Sequence, residues 1–513
     1  MKKQNIILGT LILTIATTIV RFVGFFFRIY LANVLGSEGI GLYQLILSFY
    51  MLMVTLATSG IRIAVSRLVS EELALNHYAN AKKSLHQAIV LSLFTGLLAA
   101  FIMYYFANYI GINILNDKRT VLSLLYLVPS LPVMAVSSCY KGYFYAVGKI
   151  IKPAIVQITE QLVRIFIILS IMSIYLPKGL EYGCAAVAIG MTIEEIFSLL
   201  FTWFLYIFDK KPFANKYIKR KPKNMIFKIL GISIPLSGTS YLNSVLRTVE
   251  NTMIPTRLIL YGATAEAAMS LYGMIKGMVL PLLFFPSSFL TSLASILIPS
   301  VASDNVKSNE KKVTATLSKV LHFTALSGIL VVSVFITFPN EIAMAVYNDP
   351  QVGLMLKIIS LVCPFMYLNM VISSMLNALG EQVSSFKINI IESILKISII
   401  YFLIPIYGFD AYLFALFLTT VLNTFLYLIK LLQVSCIIFD VSNWIFKPIL
   451  VAGFSCLTSR VLFTMFIRNS SHNIFALFSS IIILSLLYLM GLILLKSFHL
   501  MQVKDLKKLV KNF

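Results

Sequence analysis

Long apolar stretches separated by short polar segments run through all 513 residues of the chain. A helix that crosses a bilayer needs about 20 mostly apolar residues. The spacing of the polar segments predicts fourteen such helices, and therefore an all-α integral membrane protein. The predicted spans are 6–31, 40–65, 86–107, 120–140, 154–175, 183–207, 229–256, 277–299, 320–338, 355–376, 388–405, 411–430, 446–467 and 473–495.

Composition and charge agree with a membrane protein. Hydrophobic residues make up 59% of the chain and charged residues 12%, whereas soluble domains contain about 25% charged residues. The net charge is +22, but we expect no nucleic-acid partner, because basic residues accumulate in the cytoplasmic loops of membrane proteins. Few basic residues lie in the predicted external loops. This distribution indicates that both termini are cytoplasmic and that the basic segments lie beside anionic membrane lipids. The external ones are Lys118, Arg119, Lys178 and Arg468.

Motifs for catalysis or metal binding are missing from the sequence. The five cysteines and five histidines show no ligand spacing, so we expect no metal site. A phosphate-binding Gly-rich loop followed by Lys-Ser/Thr does not occur, which excludes ATP hydrolysis by that route. We therefore expect a transporter without a bound cofactor rather than an enzyme.

The sequence repeats itself at an offset of 232 residues. An even number of spans in each copy predicts two six-helix lobes that point the same way and are related by a pseudo-two-fold axis along the membrane normal. The matched pairs are Gly96 and Gly328, Asn116-Asp117 and Asn348-Asp349, Pro132 and Pro364, Ala146 and Ala378, Gly148 and Gly380, Glu160 and Glu392, and Arg164 with Lys396.

Three segments follow from the repeat. Residues 1–224 form the first lobe with a basic linker, and residues 225–435 form the second lobe. Residues 436–513 hold two further membrane helices and a basic tail, whose apolar residues share one helical face and predict a helix on the membrane surface. A solvated tail is the alternative.

Basic residues inside the predicted spans are candidates for substrate binding. An ionised side chain at the bilayer centre costs roughly 2.5–3.5 kcal/mol, so it must face water, a partner or an interface. Arginines midway along spans 1 and 7 predict a central cationic cavity for an anionic, pyrophosphate-bearing substrate. Snorkelling to the interface is the alternative for Arg28, Arg62, Arg257 and Lys276. The candidate cavity residues are Arg21, Arg28, Arg62, Arg247 and Lys276.

Acidic residues in the spans predict ion pairs or a coupling-ion site. Glu160 precedes Arg164 by four residues, and Glu392 precedes Lys396 by four, which is the favourable order for a pair on one helix. The alternative is that Glu250 and Glu392 together bind a coupling Na⁺ or H⁺. Glu194 and Glu195 also need partners, which the sequence does not reveal.

Short motifs then point to a known family. They occur in order along essentially the whole chain, and together they are specific. They are Gly9-Thr10-Leu11-Ile12, Arg21-x-x-Gly24-Phe25 with Arg28, Gly36-x-Glu38-Gly39-x-Gly41-Leu42-Tyr43, Leu115-x-Asp117-Lys118-Arg119-Thr120, Ser137-Ser138-x-x-Lys141-Gly142-Tyr143-Phe144, Glu160-Gln161-x-x-Arg164 and Leu180-Glu181-Tyr182.

With these motifs the chain resembles the multidrug/oligosaccharidyl-lipid/polysaccharide flippase superfamily, in its polysaccharide biosynthesis and lipid II flippase branch that includes sporulation proteins. The resemblance implies a flippase for an undecaprenyl-pyrophosphate-linked glycan, such as a peptidoglycan precursor for the spore cortex, with a cavity between two six-helix lobes. Arg21 stands where that branch has an essential arginine. The branch's arginine in span 2 falls on apolar residues here, and Lys276 is an approximate substitute in span 8.

Two other transport functions stay open at this point. A multidrug/cation antiporter of the same superfamily should have carboxylates in the first-lobe cavity, whereas span 1 has arginines. An exporter of another lipid-linked polysaccharide unit would use the same cationic cavity. A membrane glycosyltransferase is disfavoured, because the predicted external loops are too short for its catalytic residues.

Overall fold

The computed structural model describes residues 3–58, 60–209, 224–291, 301, 310–435, 437, 440–469 and 473–497. Within these ranges the secondary structure is helical, without a β-strand. Among the described residues, eleven helices are long and apolar enough to cross a membrane, and the number is thirteen if each of two bent pairs is one span. The protein is therefore a multi-pass membrane protein, while the count of fourteen spans stays a prediction.

The chain divides into two compact units, residues 1–273 and 274–513. This division falls later than the predicted lobe boundary at 224 and 225, and the two six-helix lobes stay a prediction. The predicted basic linker, at residues 210–223, and the predicted surface helix of the tail, beyond residue 497, lie outside the described residues.

The described residues of the first unit form nine longer helices. They are α1 (Lys3–Thr58), α2 (Ile61–Ala74), α3 (Tyr78–Tyr105), α4 (Thr120–Leu127), α5 (Ser130–Ala146), α6 (Ile151–Tyr175), α7 (Leu180–Asp209), α8 (Ile226–Tyr261) and α9 (Ala265–Gly273). Short helical turns lie at Ala107–Tyr109, Ile110–Ile114 and Leu176–Lys178.

The second unit begins with a π-helical turn at Met274–Val279, and a second such turn lies at Ser442–Phe446. Its other described helices are α10 (Leu280–Phe284), α11 (Glu310–Thr337), α12 (Pro339–Tyr347), α13 (Pro350–Ser360), α14 (Cys363–Ala378), α15 (Gln382–Tyr407), α16 (Phe409–Val434), α17 (Lys447–Asn469) and α18 (Asn473–Leu494).

Helix α1 holds the first predicted span and most of the second. The backbone breaks inside it at Gly36, where φ is 70° and ψ is 179°. Glycine adopts a positive φ without the steric penalty that a Cβ would add, so it permits the kink. The second predicted span, 40–65, is divided near its end, because α1 stops at Thr58 and α2 begins after Gly60, whose φ is 72°.

Three other predicted spans also differ from the structure. The span at 120–140 is formed by α4 and α5, which are bent by 40°, and the span at 355–376 by α13 and α14, bent by 58°. The predicted span 277–299 begins too late. Its candidate helix covers 265–284, so Lys276 lies within the helix rather than at its start.

The repeat is visible in local packing. A Cβ placed on Gly96 would lie 2.7 Å from the Cα of Pro132, and one placed on Gly328 would lie 2.8 Å from the Cα of Pro364. Each glycine thus lets its helix approach the proline of the other helix in the pair. Both copies therefore use the same close contact within their own unit, as duplication predicts.

Candidate functional site

Charged side chains of three membrane helices meet inside the first unit. Lys141 of α5 donates to the carboxylate of Glu160 on α6, with 2.7 Å between Nζ and Oε1. Arg164, one turn further along α6, pairs with Glu194 of α7, with 3.4 Å between NH1 and Oε2. These side chains are mostly buried, so each base offsets a carboxylate that would otherwise be costly in the membrane.

The ion pair predicted between Glu160 and Arg164 is replaced by these two pairs between helices. Spacing of four residues puts both side chains on one face of α6. That face packs against α5 and α7, where Lys141 and Glu194 provide opposite charges. Glu194, whose partner the sequence did not reveal, is therefore bound to Arg164.

Gln161 adds a polar contact to this charged cluster. Its Oε1 accepts a hydrogen bond from NH2 of Arg164, and its side chain is almost completely buried. Three buried atoms of the cluster have no hydrogen-bond partner among the described residues: Nε2 of Gln161, Nε of Arg164 and Oε2 of Glu195. Because buried polar groups are normally bonded, such atoms mark a place where a ligand or water can bind.

The two arginines predicted in the first span lie on α1 near this cluster. Arg21 and Arg28 are both exposed, and Gly24 lies between them at spacings of three and four residues, which places all three on one helix face. A Cβ on Gly24 would lie 3.7 Å from Nε2 of Gln161. The α1 face with the arginines therefore adjoins the α6 residues.

The other predicted cavity residues lie on other helices. Arg62 is exposed on α2 and Arg247 is exposed on α8, one turn before the partly buried Glu250. Lys276 is partly buried in the π-helical turn that begins the second unit. The structure thus places Arg21, Arg28 and Arg247 in the first unit and Lys276 in the second.

The second unit contains a separate polar cluster around Glu392. The carboxylate of Glu392 on α15 accepts a hydrogen bond from Nδ2 of Asn423 on α16. Asn369 of α14 donates to the backbone oxygen of Thr420, with 3.3 Å between Nδ2 and O. The Oδ1 atoms of Asn369 and Asn423 are buried without a partner in the described part of the chain. Oxygen atoms in such a group suit a hard cation.

A salt-bridge network stabilises the kink of α1 at Gly36. Arg119 pairs with Glu38 at 2.6 Å and with Asp117 at 2.8 Å. The hydrogen bonds to Asp117, and then those to Glu38, raise the pKa of Arg119 above its usual value, so the guanidinium stays charged. The motif that contains Glu38 and the motif that contains Asp117 and Arg119 thus hold the start of α4 against α1.

Next to this network, α1 and α9 touch backbone to backbone. A Cβ on Gly41 would lie 3.1 Å from N of Gly273 and closer still to the carbonyl oxygen of Met269. One turn away, the hydroxyls of Ser37 and Ser270 are 2.7 Å apart and hydrogen-bonded. Gly41 and Gly273 are equivalent positions of the 232-residue repeat. The same glycine in both copies therefore allows the two helices to cross.

Sequence reasoning missed Lys141, Gln161 and Glu195 as members of one cluster. Each was visible, Lys141 and Gln161 inside family motifs and Glu195 as an unexplained intramembrane acid. No periodic signal along the chain could show which of them meet, since they lie on three different helices.

Comparison with known proteins identifies the family of the chain. The family model described as polysaccharide biosynthesis protein matches residues 6–303, more than half of the chain. The chain belongs to the polysaccharide biosynthesis protein family. A second model, MatE, matches residues 261–402.

Relatives of this family member are known in Bacillus subtilis (strain 168). Stage V sporulation protein B is 27% identical over 406 residues, which cover 79% of this chain and 78% of the relative. Lipid II flippase MurJ is 25% identical over 350 residues, 62% of each chain.

Solved membrane transporters share the all-helical fold. Lipid II flippase MurJ in its inward closed conformation superposes with a TM-score of 0.67 at 16% identity, over 94% of this chain and 98% of that chain. An inward-facing multidrug resistance MATE family transporter superposes with a TM-score of 0.64 at 13% identity, over 81% of this chain and 98% of that chain. The similar proteins that are named for an activity are flippases and transporters, not enzymes.

Proposed function

We propose that this protein is a flippase that moves a lipid-linked glycan across the cytoplasmic membrane by alternating access. One observation carries the proposal: Arg21 and Arg28 are exposed on one face of a membrane helix. Charged side chains cannot face lipid chains cheaply, so this face lines a water-filled path. A planar guanidinium binds the oxygens of a phosphate with two parallel hydrogen bonds.

The relatives support the chemical class of the substrate. One carries the name lipid II flippase and another the name stage V sporulation protein B. We therefore infer a pyrophosphate-linked peptidoglycan precursor as the substrate and spore cortex synthesis as its use. Both termini lie in the cytoplasm in this proposal, because the basic residues cluster in the segments on that side.

A coupling cation fits the polar cluster around Glu392 in the second unit better than the charged cluster in the first unit. We infer that Glu392 and the amide oxygens of Asn369 and Asn423 hold Na⁺, since hard cations prefer oxygen ligands. Na⁺ would supply positive charge next to the carboxylate during one part of the cycle. Glu250 remains a second candidate for binding Na⁺ or H⁺, on α8 of the first unit.

A multidrug/cation antiporter is the second candidate, because the MatE model matches residues 261–402 and a MATE structure superposes over 81% of this chain. Exposed arginines on α1 would repel an organic cation, which favours the anionic substrate.

Reconstituted vesicles test the proposal directly. Purified protein is inserted into liposomes that contain a fluorescent polyprenyl-pyrophosphate glycan, and its appearance in the outer leaflet is measured by quenching. We expect flipping by the wild type and none by vesicles without protein. Efflux of a cationic dye without lipid flipping would instead identify an antiporter.

A further inference from the structure

The orientation of the Gln161 amide on α6 is fixed by its neighbour. Arg164 has only hydrogen-bond donors, so the atom of Gln161 that meets NH2 of Arg164 must be the oxygen. The nitrogen Nε2 is then turned away from Arg164 and faces the backbone of α1 at Gly24. The side chain is 4% exposed, yet Nε2 has no acceptor among the described residues.

Arg164 is also left with one donor unused. Its NH1 pairs with Glu194 and its NH2 donates to Gln161, while Nε is buried without an acceptor within the described ranges. The guanidinium is thus held in position by two neighbours and still has a hydrogen to donate. Two buried donors, one on a cation, therefore lie in the same small region of α6.

The chemistry of these donors selects the ligand. A metal cation needs oxygen atoms as ligands, and Nε2 and Nε can only donate hydrogens. A phosphate group has several oxygens that accept hydrogen bonds and carry negative charge, so different oxygens of one group suit the two donors. Arg21 and Arg28, on the α1 face that adjoins Gln161, add positive charge from the other side.

We propose that Gln161 and Arg164 form a further phosphate-binding subsite for the pyrophosphate of the lipid head group, next to Arg21 and Arg28. This inference rests on the proposed flippase function and names residues of α6 that bind the substrate. Glu194 positions Arg164 by holding NH1. A Cβ on Gly24 would lie 3.7 Å from Nε2, so the α1 backbone comes close to this donor and brings the arginine-bearing face of α1 beside it.

The variant Gln161→Glu tests this subsite selectively. The carboxylate still offers an oxygen to Arg164, but the donor facing α1 becomes a negatively charged acceptor that repels phosphate. The control is Gln157→Glu, the same exchange one turn earlier on α6. Binding of undecaprenyl pyrophosphate is measured in nanodiscs, with undecaprenol and inorganic pyrophosphate as comparison ligands.

We expect Gln161→Glu to weaken binding of undecaprenyl pyrophosphate at least about tenfold relative to Gln157→Glu, since a charge-assisted hydrogen bond is lost. Undecaprenol binding should be equal in both variants, because it has no phosphate. If Gln161→Glu also binds inorganic pyrophosphate more weakly than Gln157→Glu does, the subsite recognises the phosphates alone. If the protein binds the lipid but not inorganic pyrophosphate, the polyprenyl chain is also required. Both results agree with the subsite.

Equal binding of undecaprenyl pyrophosphate by Gln161→Glu and Gln157→Glu would overturn the subsite. If the wild type itself does not bind this lipid, the proposed function fails instead. Should Gln161→Glu not fold, Arg164→Lys keeps the charge beside Glu194 and removes only Nε and the planar fork. The same tenfold loss is expected there, and unchanged binding by folded Arg164→Lys contradicts the proposal.

Discussion

Alanine at Gly41 should separate α1 from α9. The added Cβ would lie 3.1 Å from N of Gly273 and 3.2 Å from its Cα, in addition to a closer clash with the backbone oxygen of Met269. Backbone atoms cannot rotate away as a flexible side chain can, so the helices must move apart. Overpacking of this kind costs about 1–3 kcal/mol.

That free energy fixes the expected change in the population of the contact. A cost of about 1–3 kcal/mol lowers the equilibrium constant between the states with and without the helix contact by about 5- to 150-fold. The hydrogen bond between Ser37 and Ser270, at 2.7 Å, reports on the same contact. Cysteines at these two positions should form a disulfide readily in the parent protein and slowly with alanine at Gly41.

The assay uses Ser37→Cys with Ser270→Cys in a variant without the native cysteines, under mild oxidation. The matched control is Gly238→Ala on α8, where an added Cβ meets nothing within 4 Å. We expect Gly41→Ala to slow cross-linking, by up to about 150-fold, and Gly238→Ala to leave it unchanged. Equal cross-linking in both variants would refute the argument that the glycines permit the contact.

Three further outcomes are expected. Arg21→Ala should abolish flipping in vesicles while the protein stays folded. Arg21→Lys should retain only part of the activity, because a point charge cannot bind two oxygens in one plane. Full activity of Arg21→Ala would contradict the cavity assignment. Glu160→Gln should lower the melting temperature by leaving Lys141 without its carboxylate, and adding Lys141→Met should recover part of the loss; additive effects would show that the pair contributes nothing. Glu392→Gln should change the dependence of flipping on Na⁺ more than lipid binding, and an unchanged Na⁺ dependence would exclude that residue.

The sequence by itself determined the class of protein and its duplication. Membrane helices depend on length and apolar composition, which are local properties, so most predicted spans coincide with helices of the structure. The repeat also depends only on residue identities along the chain. The backbone conformation is repeated as well, since the matched residues Asn116 and Asn348 both have a positive φ, of 55° and 54°.

Tertiary structure decided which charged residues meet. Spacing along α6 suggested that Glu160 and Arg164 pair, yet their partners, Lys141 and Glu194, lie on neighbouring helices. A helix presents several residues on each face, and the hydrophobic pattern does not say which neighbour covers that face. Packing of the helices sets the distances between residues that are far apart in the chain. It therefore decides the choice of ion pairs, the unused donors of Gln161 and Arg164, and the contact at Gly41.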